Sequence, residues 1–185
     1  MNMEIKNKKV LFIDLDGTLV KTITGSSHPV GVWDVKLRLE VFSQIKSLFS
    51  SLTHLFVVTN QGGIEKGYVN PDSFEKKFEW VLGCLSDWMK GDKVRELIVG
   101  GAVCPTNDEK YYRRKPNTGM LQDLVDHFFP NGGIEKQDMV MIGDASGKEG
   151  DFSDSDRKTA ENMGIDYIDV EEFLKIKESG NGEGK

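Results

Sequence analysis

Lys9-Val10-Leu11-Phe12-Ile13, followed at once by Asp14-Leu15-Asp16-Gly17-Thr18-Leu19, is the stretch that decides the fold. Its short apolar run contains β-branched residues and shows no polar alternation, so it reads as a strand buried on both faces that stops at a polar turn. His54 to Thr59 repeats that form and stops at Asn60-Gln61-Gly62-Gly63. Val94 to Val99 and Met139 to Ile142 are alike, and Ile165 to Ile168 is a weaker fifth strand. Helical periods lie between them. Leu37, Val41, Ile45, Leu48 and Leu52 give one apolar face to a helix expected over Val35 to Ser51. Phe74, Phe78, Val81, Leu85 and Met89 do the same over Pro71 to Met89, with Asn70 as N-cap and Pro71 at the first helical position. A third helix is expected over Met120 to Phe129, and a fourth runs from near Asp156 to a closing Gly164. Asp169 can cap a last short one. Strands alternating with helices predict an α/β domain: a Rossmann-like parallel sheet with helices on both faces. Ligands of such sheets bind beyond the carboxyl ends of the strands. That rule selects Asp14 and Asp16, Thr59 and Asn60, and Gly143 and Asp144.

Length and composition set the limits. A chain of 185 residues with 38% apolar content builds one core, here assigned to residues 1–177, and 178–185 read as a flexible tail. Its apolar runs fall far short of the roughly 18 residues of a membrane span. The polar start, Met1 to Lys9, resembles neither a secretory signal nor a transit peptide, so a cytoplasmic protein is expected. Two cysteines, Cys84 and Cys104, without a CxxC pair fit a reducing compartment. The net charge of −6 argues against bulk electrostatic coating of nucleic acid, so a polynucleotide would have to be gripped locally. Lys110, Arg113, Arg114 and Lys115 fall within six residues and stand out on an otherwise acid-biased chain, though such a run on its own reads as a solvated loop.

Asp14 and Asp16 leave their strand two residues apart and point the same way. In a dry crevice their repulsion raises one pKa unless a cation holds the other ionised. A divalent ion would keep Asp14 a bare nucleophile, while Asp16 could carry a proton and act as general acid and then general base. Standing alone, the pair would read equally well as two surface aspartates at a strand end.

They do not stand alone. Asp14-Leu15-Asp16-Gly17-Thr18-Leu19, Thr59-Asn60-Gln61, Arg114-Lys115-Pro116 and Gly143-Asp144 resemble, in order, the four signatures of the haloacid dehalogenase superfamily, over residues 9 to about 168. The resemblance implies a phosphatase in which Asp14 becomes a phospho-aspartate and Asp16 protonates the leaving oxygen. Thr59 and Lys115 would bind the transferring phosphoryl group, and Asp14, the Asp16 backbone carbonyl and Asp144 would hold Mg²⁺. A phosphoryl group in flight spreads charge over its equatorial oxygens, and a hydroxyl, an ammonium and a hard cation answer that need.

Only about eighteen residues, Leu19 to Lys36, are free to form a flap after the first strand, so no large cap domain is expected and the site should be open. Capless relatives include histidinol-phosphate and heptose-bisphosphate phosphatases, which carry a Cys/His zinc loop. Here Cys104-Pro105 is followed by Thr106, and no further Cys precedes Arg114. The closer likeness is to the 3′-phosphatase domain of polynucleotide kinase/phosphatase, through residues 59–64, 112–120, 143–147 and 151–157. It implies a DNA 3′-phosphatase of the repair type, acting on a nucleic-acid end. In this likeness the second acid is displaced to Asp156, placed to orient metal waters or Lys115. Arg114 and Asn60 are further candidates for phosphate contact. Trp33 in the flap could stack on a base and His28 could touch substrate. No GxxxxGK[ST] occurs, so a 5′-kinase is not expected. Receiver domains share clustered aspartates, a Thr and a Lys, but in another order. The alternative enzyme is a phosphatase of small sugar or nucleotide phosphates, which the acidic composition favours. The oligomeric state is not legible.

Overall fold

The computed structural model describes residues 5–25, 32–91 and 97–177. Five parallel strands, β1 (Val10–Ile13), β4 (His54–Asn60), β5 (Ile98–Cys104), β6 (Met139–Gly143) and β7 (Asp166–Asp169), form one sheet in the order β5-β4-β1-β6-β7. A separate antiparallel hairpin pairs β2 (Val20–Thr22) with β3 (Val35–Leu37). Leu11, Ile13, Leu55, Val57, Val140 and Ile142 face one core, closed by α1 (Leu39–Leu48), α2 (Pro71–Met89) and α5 (Val170–Phe173). The alternate strand residues Val10, Phe12, Phe56, Val58, Met139 and Met141 face the other, under α3 (Gly119–Phe128) and α4 (Ser155–Met163). Burial on both faces explains why the strands read as continuous apolar runs.

After β1 the chain moves outward to β4 and β5, then crosses back to β6 on the opposite side of β1. The carboxyl end of β1 is therefore the topological switch point, where neighbouring connections diverge and leave a crevice. Asp14 sits there, its amide donating to the Ile142 carbonyl at 2.9 Å.

Two elements differ from the sequence expectation. Helix α1 begins at Leu39 rather than Val35, because Val35 to Leu37 pair with Val20 to Thr22 and close the flap. Arg38 ends that strand, its guanidinium donating to the Gly17 carbonyl at 2.8 Å and pairing with Glu40 and Glu171. Asp34 secures the hairpin, accepting from the Ile23 and Thr24 amides and the Thr24 hydroxyl. Strand β5 runs later than Val94 to Val99, whose residues 94–96 lie outside the described ones. Gly100 and Gly101 concealed it, since glycine is a poor strand former. A Cβ at Gly101 would lie 2.3 Å from the Val57 carbonyl oxygen and 2.7 Å from the Phe78 ring, so close packing of α2 onto the sheet requires the small residue. His28 and the tail from 178 also lie outside the described residues. His54 opens β4 with its ring 4.6 Å from that of Phe129, and burial lowers its pKa; it is part of the packing.

Candidate active site

Four signatures spaced along the chain meet at the switch point. β1 delivers Asp14, β4 ends in Thr59 and Asn60, the turn before α3 brings Lys115, and β6 runs into Asp144. Lys115 Nζ lies 2.6 Å from Asp14 Oδ1, 2.7 Å from Asp156 Oδ1 and 3.0 Å from the Val58 carbonyl. Asp156, in the first turn of α4, also accepts from the Ala145 amide at 3.1 Å. Its carboxylate thus ties Lys115 to the loop after β6. Carboxylate oxygens of Asp14, Asp144 and Asp156 fall within 4.8 Å of one another.

Three carboxylates around one ammonium leave two negative charges in excess. The electrostatics follow from that. Burial pushes the Asp14 carboxyl well above the usual range, with Asp156 and Asp144 adding to the effect against the pull of Lys115. Asp144 is pushed up to about 6 by burial and by Asp156. The Lys115 ammonium is held firmly protonated, since the two carboxylates outweigh its burial. One divalent cation would cancel the excess. Among the described residues Asp144 Oδ1 is buried and has no hydrogen-bond partner, the condition of an oxygen prepared for a ligand. All-oxygen donors suit Mg²⁺. Asp14 and Asp144 fit such an ion.

Gly17 makes the crevice possible. Its φ is +90°, and a Cβ there would lie 2.0 Å from Asp144 Oδ2. Gly17→Ala is therefore expected to strain the turn and displace Asp144, costing about 1–3 kcal/mol of stability. The check is thermal unfolding with and without Mg²⁺: the midpoint should fall and the rise produced by the ion should shrink. An unaltered ion-dependent rise would contradict this packing.

Asp16 occupies a different place from the other acids. Its Oδ2 accepts from Gln61 Nε2 at 2.6 Å, and its Oδ1 lies 3.1 Å from the ammonium of Lys77 on α2. Gln61 Nε2 also donates to Thr59 Oγ1 at 2.9 Å. Because Thr59 accepts there, its own hydroxyl hydrogen is free to point at another acceptor. Asn60 is engaged at both ends with the backbone of Lys115, donating to its carbonyl at 3.0 Å and accepting from its amide at 3.0 Å. It holds the Lys115 turn through these two bonds. Arg114 donates to the Thr106 carbonyl at 2.9 Å, beside the loop where Thr106 and Glu65 join. Trp33 and Tyr68, on the flap and the loop after β4, are largely exposed, as is Phe152 on the loop after β6.

Lys77 and Gln61 were not singled out from the sequence. Lys77 carried a signal: it stands three residues after Phe74 and four before Val81, on the apolar face of α2, where a charge needs a partner. Asp151 and Asp154 turn to local donors, Ser146 and Lys148 for the one and Lys158 and Arg157 for the other.

Comparison with known proteins decides the family. The model of the family described as polynucleotide kinase 3 phosphatase matches residues 9–174. The chain belongs to that family. It is a phosphatase of the haloacid dehalogenase superfamily, with no large cap among the described residues. An uncharacterized 20.8 kDa protein of Autographa californica nuclear polyhedrosis virus is 30% identical over 177 residues, covering 92% of this chain and 88% of that one. The bifunctional polynucleotide phosphatase/kinase of Schizosaccharomyces pombe is 29% identical over 171 residues, 91% of this chain but only 38% of its own length. The heptose-1,7-bisphosphate 7-phosphatase of Pasteurella multocida is 31% identical over 145 residues, 74% of this chain and 71% of that one. Among solved structures, the heptose 1,7-bisphosphate phosphatase of B. bronchiseptica, complexed with magnesium and phosphate, shares the fold of this phosphatase family member with a TM-score of 0.58 at 16% identity, over 90% of this chain and 98% of that one. No helix among the described residues is long and apolar enough to cross a membrane.

Proposed function

We propose that this phosphatase is a magnesium-dependent polynucleotide 3′-phosphatase that works through a phospho-aspartate on Asp14. The observation that carries the chemistry is the buried Asp14–Lys115–Asp156 array beside Asp144, at the switch point of the sheet. The family supports the substrate class.

In the first step an Asp14 carboxylate oxygen attacks phosphorus, and the bond from phosphorus to the 3′ oxygen breaks. Asp16 gives its proton to that leaving oxygen, so a free hydroxyl departs. The Lys115 ammonium and the Thr59 hydroxyl meet the negative charge on the phosphoryl oxygens. In the second step water attacks phosphorus, Asp16 takes a proton from it, and the bond to Asp14 breaks to release phosphate. Asp14, Asp144 and the Asp16 backbone carbonyl would hold Mg²⁺, which when bound supplies a hard positive charge for the phosphoryl oxygens. Asp156 fixes Lys115 from behind. Trp33 offers a face on which a terminal base can stack.

Release of phosphate from a 3′-phosphorylated oligonucleotide, a 5′-phosphorylated one and a panel of sugar phosphates, each with magnesium and with chelator, tests this reading. The 3′ end should be turned over at least tenfold faster than the others, with nothing released under chelator. Equal or better turnover of the sugars would make this a small-molecule phosphatase instead.

A further inference from the structure

The buried lysine of α2 is not explained by packing. Lys77 is only 4% exposed, its ammonium 5.0 Å from the centroid of the Phe74 ring, on a helix face that otherwise presents Phe74, Val81, Leu85 and Met89 to the core. An apolar side chain there would avoid the cost of taking an ammonium out of water, and buried ion pairs are often no more stabilising than apolar replacements. What the ammonium contacts is Asp16, at 3.1 Å on Oδ1 and 3.5 Å on Oδ2. Gln61 grips Oδ2 from the other side and, through the same amide nitrogen, Thr59 Oγ1. The Asp16 carboxylate is thus clamped between a helix and a strand end, in register with the Thr59 hydroxyl.

We infer that Lys77 is a positioning residue for the leaving-group side of the reaction: with Gln61 it fixes the Asp16 carboxylate in the one orientation from which it can reach the departing oxygen. This rests on the reading of Asp16 as the group that protonates that oxygen. Lys77 lies behind Asp16, and its effect is exerted through that carboxylate. Orientation matters because proton transfer is efficient only over hydrogen-bond distances, and a carboxylate on a free rotor spends little time there.

A substrate whose leaving oxygen departs without help gives the discriminating readout. A nucleoside 3′-oxygen leaves as a poor alkoxide and needs the proton, whereas p-nitrophenolate departs readily. In Lys77→Met, kcat on a 3′-phosphorylated oligothymidylate should fall at least about tenfold relative to kcat on p-nitrophenyl phosphate, with KM for the oligonucleotide within about threefold of the parent. The thermal midpoint should fall, because methionine leaves the Asp16 carboxylate without its counter-charge, and the fall should be smaller in an Asp16→Asn background. In an Asp16→Asn background Lys77→Met should add nothing to the kinetic loss, because the two act as one unit. Equal losses on both substrates, which leave the ratio unchanged, would make Lys77 a structural residue and overturn the inference. Should Lys77→Met fail to fold, Lys77→Arg decides the matter: its bulkier head must shift the carboxylate, so the ratio should move in the same direction, and an unmoved ratio overturns the inference. Failure of the underlying reading shows separately, as an unsubstituted protein inactive on both substrates or an Asp16→Asn variant that leaves the ratio untouched.

Discussion

Asp14→Asn is expected to lower turnover of the 3′-phosphorylated oligonucleotide by about 10⁴-fold or more, the scale on which removal of a nucleophile operates. The amide has almost the shape of the carboxylate but no charge with which to attack phosphorus. Its effect on stability should be opposite in sign. Asp14, Asp144 and Asp156 already exceed the single ammonium among them, and burial holds Asp14 in an environment unfavourable to charge. Taking one carboxylate away relieves that repulsion. The thermal midpoint of the metal-free variant should therefore match or exceed that of the parent. Loss of turnover together with a collapsed fold would mean that Asp14 is an architectural residue.

Lys115→Met should be costly in both respects. The ammonium is 3% exposed and stands between Asp14 and Asp156, so its removal leaves buried carboxylates uncompensated. Breaking one side of such a cluster costs about 3–5 kcal/mol. Loss of the positive charge facing the phosphoryl oxygens should lower kcat by about 10²–10³-fold. The stability penalty has a predicted pH dependence. Asp144 titrates near 6 in the intact site, pushed up by burial and by Asp156, and without Lys115 the neighbouring acids lose their counter-charge as well. Groups whose folded pKa is raised hold protons in the folded state that the unfolded chain gives up, so they favour folding at low pH and cease to do so as pH rises through the folded value. The variant should thus be closest to the parent below about pH 5 and furthest from it above about pH 7. Urea unfolding of both proteins across that range is the check, and a penalty independent of pH would contradict the charge balance described.

Much of the architecture is written in residues whose burial leaves no ambiguity. The strand-then-acid pattern at Asp14, the run ending in Thr59 and the run ending in Gly143 all lie at the centre of the sheet, buried on both faces, where apolar continuity is forced. Helix α2 was legible to the residue because Asn70 caps it through the Ser73 amide and Pro71 begins it. Gly164, in the left-handed region, closes α4 as expected. β5 was misplaced because it is an edge strand whose Gly101 answers to α2 and to the neighbouring backbone, a tertiary demand with no local signature. Val35 to Leu37 were read as helix because their apolar spacing suits either element, and only pairing with Val20 to Thr22 resolves it. The candidate site divides in the same way. Asp14, Lys115, Asp144 and Asp156, read from separated motifs, come together in space. The contacts of Asn60 with Lys115, and of Lys77 and Gln61 with Asp16, join residues 45 or more positions apart and depend on the sheet order that brings them together.

Borohydride trapping of the working enzyme is the most direct measurement. An acyl phosphate on an aspartate is reduced to homoserine, whereas a free carboxylate is untouched. The protein should be quenched during turnover of the 3′-phosphorylated oligonucleotide with Mg²⁺, reduced, digested and sequenced by mass spectrometry. Homoserine should replace aspartate at position 14, only when substrate is present. Full turnover with unmodified Asp14, or homoserine at another acid such as Asp16 or Asp144, would contradict the covalent route assigned to Asp14.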